Sequence, residues 1–93
     1  MKHYAWNAEK NDLLKVERGI SFQDVVFHIG AGDVMDIFEH PNQERYPGQQ
    51  ILVVVVEGYA YLVRFVESEE EISLKTIIPS RKATKQYAGD SDG

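Results

Sequence analysis

The closing part of the chain holds the residues best suited to bind an anion. Lys75, Arg81, Lys82 and Lys85 lie between residues 72 and 89, and this window contains no acidic residue. Because these four cations belong to a chain of net charge −5, the remainder of the chain carries −9. An arginine guanidinium can bind two phosphate oxygens at once, and lysine positions a phosphate backbone as a point charge. The segment therefore predicts a site for a phosphate group or for an acidic partner.

The element that must carry these cations is a short helix after a strand. The apolar residues before Pro79 predict a strand that ends there, and Ser80 is a suitable N-cap for the helix. Arg81 and Lys85 are four apart and face the same side of such a helix. The N–H groups of its first turn can also bind an anion. The alternative is structural, with Arg81 only neutralising the acidic turn at residues 69–71.

A polar loop in the middle of the chain offers a second group of reactive side chains. Glu44, Arg45 and Tyr46 stand between His40 and the turn signal at residues 47–48. Loops often carry binding and catalytic residues, so these side chains can serve a site. The alternative interpretation is a solvated loop without a function.

Composition excludes several classes of site. The chain has 93 residues, enough for one domain with one core. It has no cysteine, which excludes disulfides, thiolate nucleophiles and thiolate metal sites. Its histidines are far apart and no cluster of His, Asp and Glu has metal-ligand spacing, so we predict no metal and no cofactor. The acidic net charge argues against a general affinity for nucleic acid, so any such site must be a local patch.

Hydropathy predicts no contact with a membrane. The longest apolar run, residues 51–56, is far too short to cross a bilayer. The N-terminal segment lacks the apolar region of a secretory signal. We therefore expect a cytoplasmic protein.

Two helices are predicted before the strands. The first, residues 6–17, has Asn7 as its N-cap and Gly19 at its left-handed C-terminal cap. The second, residues 22–29, begins with a capping box at Ser21. The residues expected to be buried are Leu13, Leu14 and Val16 on the first helix and Phe22, Val25, Val26 and Ile29 on the second.

The strongest secondary-structure pattern is a β-hairpin. Two runs of β-branched and aromatic residues, 51–56 and 59–66, flank the turn Glu57-Gly58. Four consecutive valines predict a central strand that is covered on both faces. Arg64 interrupts the second run, and it either reaches the sheet edge or points into a cleft.

Strands at residues 34–39 and 72–78 complete a predicted four-stranded sheet. The order α-α-β-β-β-β-α predicts a single α+β domain over residues 1–93. It has a mostly antiparallel sheet, two N-terminal helices, a short C-terminal helix, and its helices on one face. Residues 88–93 are expected to form a disordered tail.

Several of these segments resemble the BrnT family of bacterial type II toxin–antitoxin toxins. The resemblance rests on segments that follow the family's order along nearly the whole chain: Trp6 with Lys10, Gly19-Ile20-Ser21-Phe22 with Asp24, Glu44-Arg45, the apolar strand from Ile51 to Val56, and Ile77 to Thr84, which is close to the family's Ile-Ile-Ser-Ala-Arg-Lys-Ala-Thr. It implies a compact toxin with a RelE-like α+β fold. Such a toxin cleaves RNA without a metal, and a cognate antitoxin holds it inactive.

Under this resemblance, the candidate residues acquire roles. Metal-free RNA cleavage requires a base for the 2′-hydroxyl, an acid for the leaving 5′-oxygen, and cations for the charge on the phosphorane. Arg81 is the first candidate for stabilising the phosphate, Arg45 can share that role, and Glu44 and His40 are the candidate bases. The residues expected to bind RNA or phosphate are Ser80, Lys82, Lys85, Arg64 and Tyr87, of which Tyr87, like Tyr46, can stack on a base.

Departures from the family's pattern favour a second hypothesis. Glu17-Arg18 stands where the family has Lys-His, the segment after Thr84 is shortened to Lys85-Gln86-Tyr87, and the net charge is acidic. These lost basic positions favour a non-catalytic binding module that pairs with an antitoxin or with itself, as a hetero-oligomer or a homodimer. A third hypothesis is a structural α+β protein whose basic patch has no function.

Overall fold

The computed structural model describes residues 2–88, which form three helices and a five-stranded mixed sheet. The elements in chain order are β1 (His3–Ala5), α1 (Ala8–Arg18), α2 (Phe22–Gly30), β2 (Val34–Glu39), β3 (Gln49–Val56), β4 (Tyr59–Glu67), β5 (Glu71–Pro79) and α3 (Arg81–Tyr87). The predicted α+β class is confirmed. The predicted tail falls on Ala88, which caps α3, and on residues 89–93, which lie outside the described residues. No helix among residues 2–88 is long and apolar enough to span a membrane.

Local capping signals set the bounds of the first two helices. The Asn7 side chain accepts a hydrogen bond from the Lys10 N–H, and Gly19 ends α1 with a φ of 67°. Ser21 and Asp24 form the predicted capping box at the start of α2. These caps are confirmed because each depends only on residues close in sequence.

The buried side of α1 differs from the prediction. Leu14 is buried as expected, but Leu13 is 49% exposed and Val16 is 84% exposed. Asn11 is buried in their place, and its Oδ1 accepts the Phe22 N–H at 2.7 Å. The helix therefore joins α2 through a polar contact as well as an apolar one, which apolar spacing alone does not predict.

The sheet has one more strand than predicted. Its order is β1-β5-β4-β3-β2, with β1 parallel to β5 and the other three pairs antiparallel. The prediction of four strands beginning after two helices is therefore wrong. Strand β1 has only three residues, too few for an alternating pattern, and it exists because β5 offers an unpaired edge.

Helices cover both faces of the sheet, not one as predicted. On the inner face, strand residues such as Val54 and Val63 pack against Leu14 of α1 and Phe22 of α2. On the outer face, Val53 and its neighbours pack against Ala83 of α3 instead. The consecutive valines of β3 thus meet helices on opposite sides, which confirms that the central strand is covered on both faces.

The chain reaches the outer face by turning at the end of β5. Ile77 is fully buried on the inner face, and three residues later the Ser80 N–H donates to the Ala60 carbonyl at 3.0 Å. A bulge also breaks the strict alternation predicted for β5. Arg64 lies opposite Thr76 but Phe65 lies opposite Leu74, so the exposed Lys75 is an extra residue.

Candidate functional site

The outer face offers a row of side chains beside α3. Pairing places Phe38 opposite Ile51, Ile51 opposite Arg64, and Arg64 opposite Thr76, so these four residues cross β2, β3, β4 and β5 in one row. Helix α3 packs over the neighbouring rows of this face. The row therefore lies beside the helix, and a guanidinium stands in its middle.

The loop at residues 40–48 brings its reactive side chains to this row. The guanidinium carbon of Arg64 lies 4.9 Å from the centre of the Tyr46 ring, and that of Arg45 lies 5.6 Å from it. The His40 ring centre is 4.5 Å from that of Tyr46. We call these four residues the tyrosine cluster. Three of them, His40, Arg45 and Arg64, were predicted site residues, and the structure brings them together.

The two arginines change the chemistry of the phenol beside them. Arg64 first, and then Arg45, lowers the pKa of Tyr46 below its ordinary value of 10.0, because guanidinium N–H donors beside the phenol favour its charged form. The charge of Arg45 adds to this effect, while partial burial opposes it. A phenol that loses its proton more readily is better suited to act as a base.

The histidine of the cluster is held in one tautomer. Its Nδ1 accepts the Asn42 N–H at 3.0 Å, so in the neutral ring the proton is on Nε2. With one nitrogen occupied and the other protonated, His40 is suited to donate a hydrogen bond rather than to act as a base. The exposed Glu44, the other candidate base, has no side-chain hydrogen bond or ion pair to any residue between 2 and 88.

The Arg64 side chain lies on the outer face of the sheet, next to Tyr46, and does not extend to the sheet edge. The residue is half-buried, and its Nε has no hydrogen-bond partner among the described residues. The same holds for Oε1 of Gln49, which lies two residues before Ile51 on the same face of β3. A buried polar atom without a partner costs roughly 1–3 kcal/mol.

Helix α3 begins as its sequence predicts, and a hydrogen bond joins it to β4. Ser80 is the N-cap, and its Oγ accepts the Ala83 N–H at 3.0 Å. The Thr84 hydroxyl accepts the Ala60 N–H of β4 at 2.9 Å. The helix has only seven residues, and its cap already occupies one of the N–H groups expected to bind an anion. The helix start is therefore a weaker anion site than predicted.

The predicted cations of α3 separate into two groups. Ser80, Lys82 and Tyr87 line a small pocket of about 160 Å³ that also contacts Phe38, a member of the central row. Arg81 and Lys85 are exposed and do not line this pocket. The structure thus brings Lys82 to this pocket on the outer face and leaves Arg81, the first candidate for catalysis, exposed and outside the pocket.

The alternative structural role of Arg81 has no support in the contacts. No ion pair joins Arg81, Lys82 or Lys85 to an acidic side chain within residues 2–88. Two acidic residues in and near this turn contact the N-terminal segment instead: Lys2 is bound to Glu67, and His3 Nε2 lies 3.5 Å from Oε1 of Glu71.

Tyr87 is a structural contact in this state. Its hydroxyl donates to Oδ2 of Asp36 at 2.8 Å, while Oδ1 of the same carboxylate accepts the Ile37 N–H at 2.8 Å. The hydrogen bond to Asp36 raises the pKa of Tyr87, and burial and the charge of Asp36 add to the effect. The predicted stacking role therefore requires this bond to open.

Tyr46 was expected to lie in a loop that can serve a site and to stack on a base, but it was not among the predicted catalytic residues. The adjacent Arg45 is a local signal for it, but the approach of Arg64 depends on strand pairing and cannot be seen in the sequence. Within residues 2–88, no group of His, Asp and Glu side chains is arranged to hold a metal ion.

Comparison with known proteins identified no related protein. No family model matches the chain, and neither does any curated protein or solved structure that was searched. The candidate site therefore rests on its own geometry.

Proposed function

We propose that this protein is the toxin component of a type II toxin–antitoxin system, with a RelE-like fold and a metal-independent endoribonuclease activity. A cognate antitoxin neutralises it. Two lines support this proposal: the resemblance of its segments to the BrnT toxins, and the tyrosine cluster. The observation that carries it is the approach of two guanidinium groups, those of Arg64 and Arg45, to within 4.9 and 5.6 Å of the Tyr46 ring centre, beside a phenol of lowered pKa.

The cluster supplies the groups that RNA cleavage requires. The Tyr46 phenolate takes the proton of a 2′-hydroxyl, whose oxygen then attacks the adjacent phosphorus. Arg64 and Arg45 stabilise the charge that builds on the phosphorane, and the Nε2–H of His40 donates to a phosphate oxygen. The bond from phosphorus to the 5′-oxygen breaks, leaving a 2′,3′-cyclic phosphate. Lys82, on the neighbouring pocket, is the candidate that protonates the leaving 5′-oxygen.

Induction in a bacterial host tests this function. We expect growth arrest and degraded RNA with the unmutated chain, and neither with Tyr46→Phe, which keeps the ring and removes the hydroxyl. Tyr59→Phe is the matched control, because Tyr59 lies at the hairpin turn and contacts Tyr61 rather than the cluster. Normal growth and intact RNA on strong induction of the unmutated chain would contradict the enzyme proposal.

The non-catalytic binding module remains the second candidate. The exposure of Arg81 and Lys85, neither of which lines the pocket beside α3, favours it, because surface cations are suited to bind an acidic protein segment. A small protein encoded next to this gene should then co-purify with the chain. The module is supported over the enzyme if the chain leaves RNA intact and its binding to that small protein depends on α3. Tyr46→Phe should then preserve this binding, and the double variant Arg81→Ala with Lys85→Ala should abolish it.

A further inference from the structure

The loop between β2 and β3 carries three members of the tyrosine cluster, and one side chain holds its two ends together. The Gln43 amide nitrogen donates to the carbonyl oxygen of His40 at 2.8 Å and to that of Gln49 at 3.0 Å. Its amide oxygen accepts the Gly48 N–H at 2.9 Å. The side chain therefore bonds at once to the residue that follows β2 and to the first residue of β3.

These three partners fix the orientation of the Gln43 amide. The carbonyl oxygens can only accept and the backbone N–H can only donate. Exchanging the amide oxygen and nitrogen would therefore place an acceptor against each carbonyl and a donor against the N–H. Both amide hydrogens have an acceptor in this arrangement. The side chain is thus fully used inside the loop and is not available to bind a substrate.

The residue next to Gln43 contacts each loop member of the cluster. Asn42 donates its N–H to His40 Nδ1, accepts the Arg45 N–H at Oδ1 at 3.1 Å, and accepts the Tyr46 N–H at its carbonyl at 3.0 Å. A displacement of Gln43 would therefore move all three side chains relative to Arg64, which β4 holds in place.

We propose that Gln43 is a positioning residue: its amide closes the loop so that His40, Arg45 and Tyr46 meet Arg64 on the outer face. The amide touches no reacting atom and acts through these residues. Its effect on cleavage rests on the proposed ribonuclease function, whereas its effect on the geometry of the cluster does not.

The test replaces Gln43 by methionine, which has a similar length and forms none of the three hydrogen bonds. The first readout is the ionisation of Tyr46, followed by ultraviolet absorbance and identified by comparison with Tyr46→Phe. The groups that face this phenol are Arg64 from β4 and His40 and Arg45 from the loop. We expect Gln43→Met to raise the pKa of Tyr46 towards its ordinary value, because the arginines no longer meet the hydroxyl.

Two further readouts separate positioning from general stability. Trp6, stacked on Phe22 at 5.7 Å on the inner face, reports unfolding in urea through its fluorescence. The urea midpoint should fall because three hydrogen bonds are lost, but it should stay well above that of Leu14→Ala. Cleavage of RNA should fall about a hundredfold, the loss that misplaced catalytic groups can cause. The control is Gln50→Met, since Gln50 borders the same side of the loop but its side chain bonds to no residue between 2 and 88.

The outcomes are distinct. An unchanged Tyr46 ionisation in a folded Gln43→Met variant overturns the positioning role. If that variant does not fold, the test is hydrogen exchange of the Gly48 N–H in the unmutated chain. Slow exchange supports the bond to Gln43, and rapid exchange overturns the positioning role, because a bonded amide exchanges slowly. A shifted ionisation in a chain that never cleaves RNA supports the positioning role and removes the ribonuclease function.

Discussion

Two tyrosines at different places on the outer face have opposite surroundings. Tyr46 lies beside Arg45 and Arg64, which lower its pKa, whereas Tyr87 donates to Asp36, which raises its pKa. Cations stabilise a phenolate, and a carboxylate that accepts the phenol hydrogen stabilises the neutral form. The same residue type therefore loses its proton more readily at the loop and serves as a neutral docking contact on α3.

The largest expected effect is a difference in RNA cleavage between variants that lack the Tyr46 hydroxyl and variants that lack the Tyr87 hydroxyl. We expect Tyr46→Phe to reduce RNA cleavage at least a hundredfold, the range of a lost general base. Tyr87→Phe should change it by no more than a few-fold. Cleavage of a short RNA by the purified variants, in the presence of a chelator, measures both. Equal losses in the two variants would refute the division of roles.

The next effect concerns the cause of the lowered pKa. Arg64→Ala should raise the pKa of Tyr46, and Arg45→Ala should raise it less, because hydrogen bonding from Arg64 is the largest contribution. Since the folded pKa lies below the unfolded one, ionisation of Tyr46 adds stability above the unfolded value, and this is lost as pH falls through the folded value. Activity that depends on the phenolate should rise at a higher pH in Arg64→Ala. Spectrophotometric titration and a pH profile of cleavage measure these shifts, and a Tyr46 titration unchanged in both variants contradicts the assigned cause.

A smaller effect tests the docking contact of α3. Tyr87→Phe removes the hydrogen bond to Asp36, so we expect a slightly lower urea midpoint. The decrease should be well below that of Leu14→Ala, for which removal of a buried leucine side chain costs about 2–5 kcal/mol. Asp36→Asn, which keeps an acceptor, should be closer to the unmutated chain. A larger loss in Tyr87→Phe than in Leu14→Ala would show that α3 is essential to the fold.

The smallest effect concerns the exposed cations of α3. Arg81→Ala should leave the Tyr46 titration unchanged and reduce the salt dependence of RNA binding by a slope of about 1. Binding measured at several salt concentrations gives this slope. Loss of cleavage at saturating RNA in Arg81→Ala would place the chemistry at α3 and not at the tyrosine cluster.

The sequence predicts best what depends on near neighbours. The Ser21 capping box, the left-handed cap at Gly19 and the hairpin around residues 57–58 all lie within a few positions of the elements they define. His40 and Arg45 were proposed from a short polar segment between two strands, and their closeness to Tyr46 is likewise local to that segment.

Features that depend on distant pairing escaped prediction. Strand β1 exists only through β5, and the side of the sheet that α3 occupies follows from the turn at Ser80. Arg64 reaches Tyr46 because β3 and β4 pair in one particular register. The exposed Val16 shows the same limit, since a helical pattern identifies apolar residues without showing which of them meet another element.

The carboxylate of Asp36 also bears on how this chain behaves at high concentration. Strand β2 is the last of the sheet, and it exposes Met35, Ile37 and Phe38. Such an edge is a template on which another chain can add a strand and aggregate. Asp36 places a negative charge on this strand and occupies the Ile37 N–H, so it acts as a gatekeeper against that association. The residue that bonds to α3 thus also hinders the pairing of this edge with another strand.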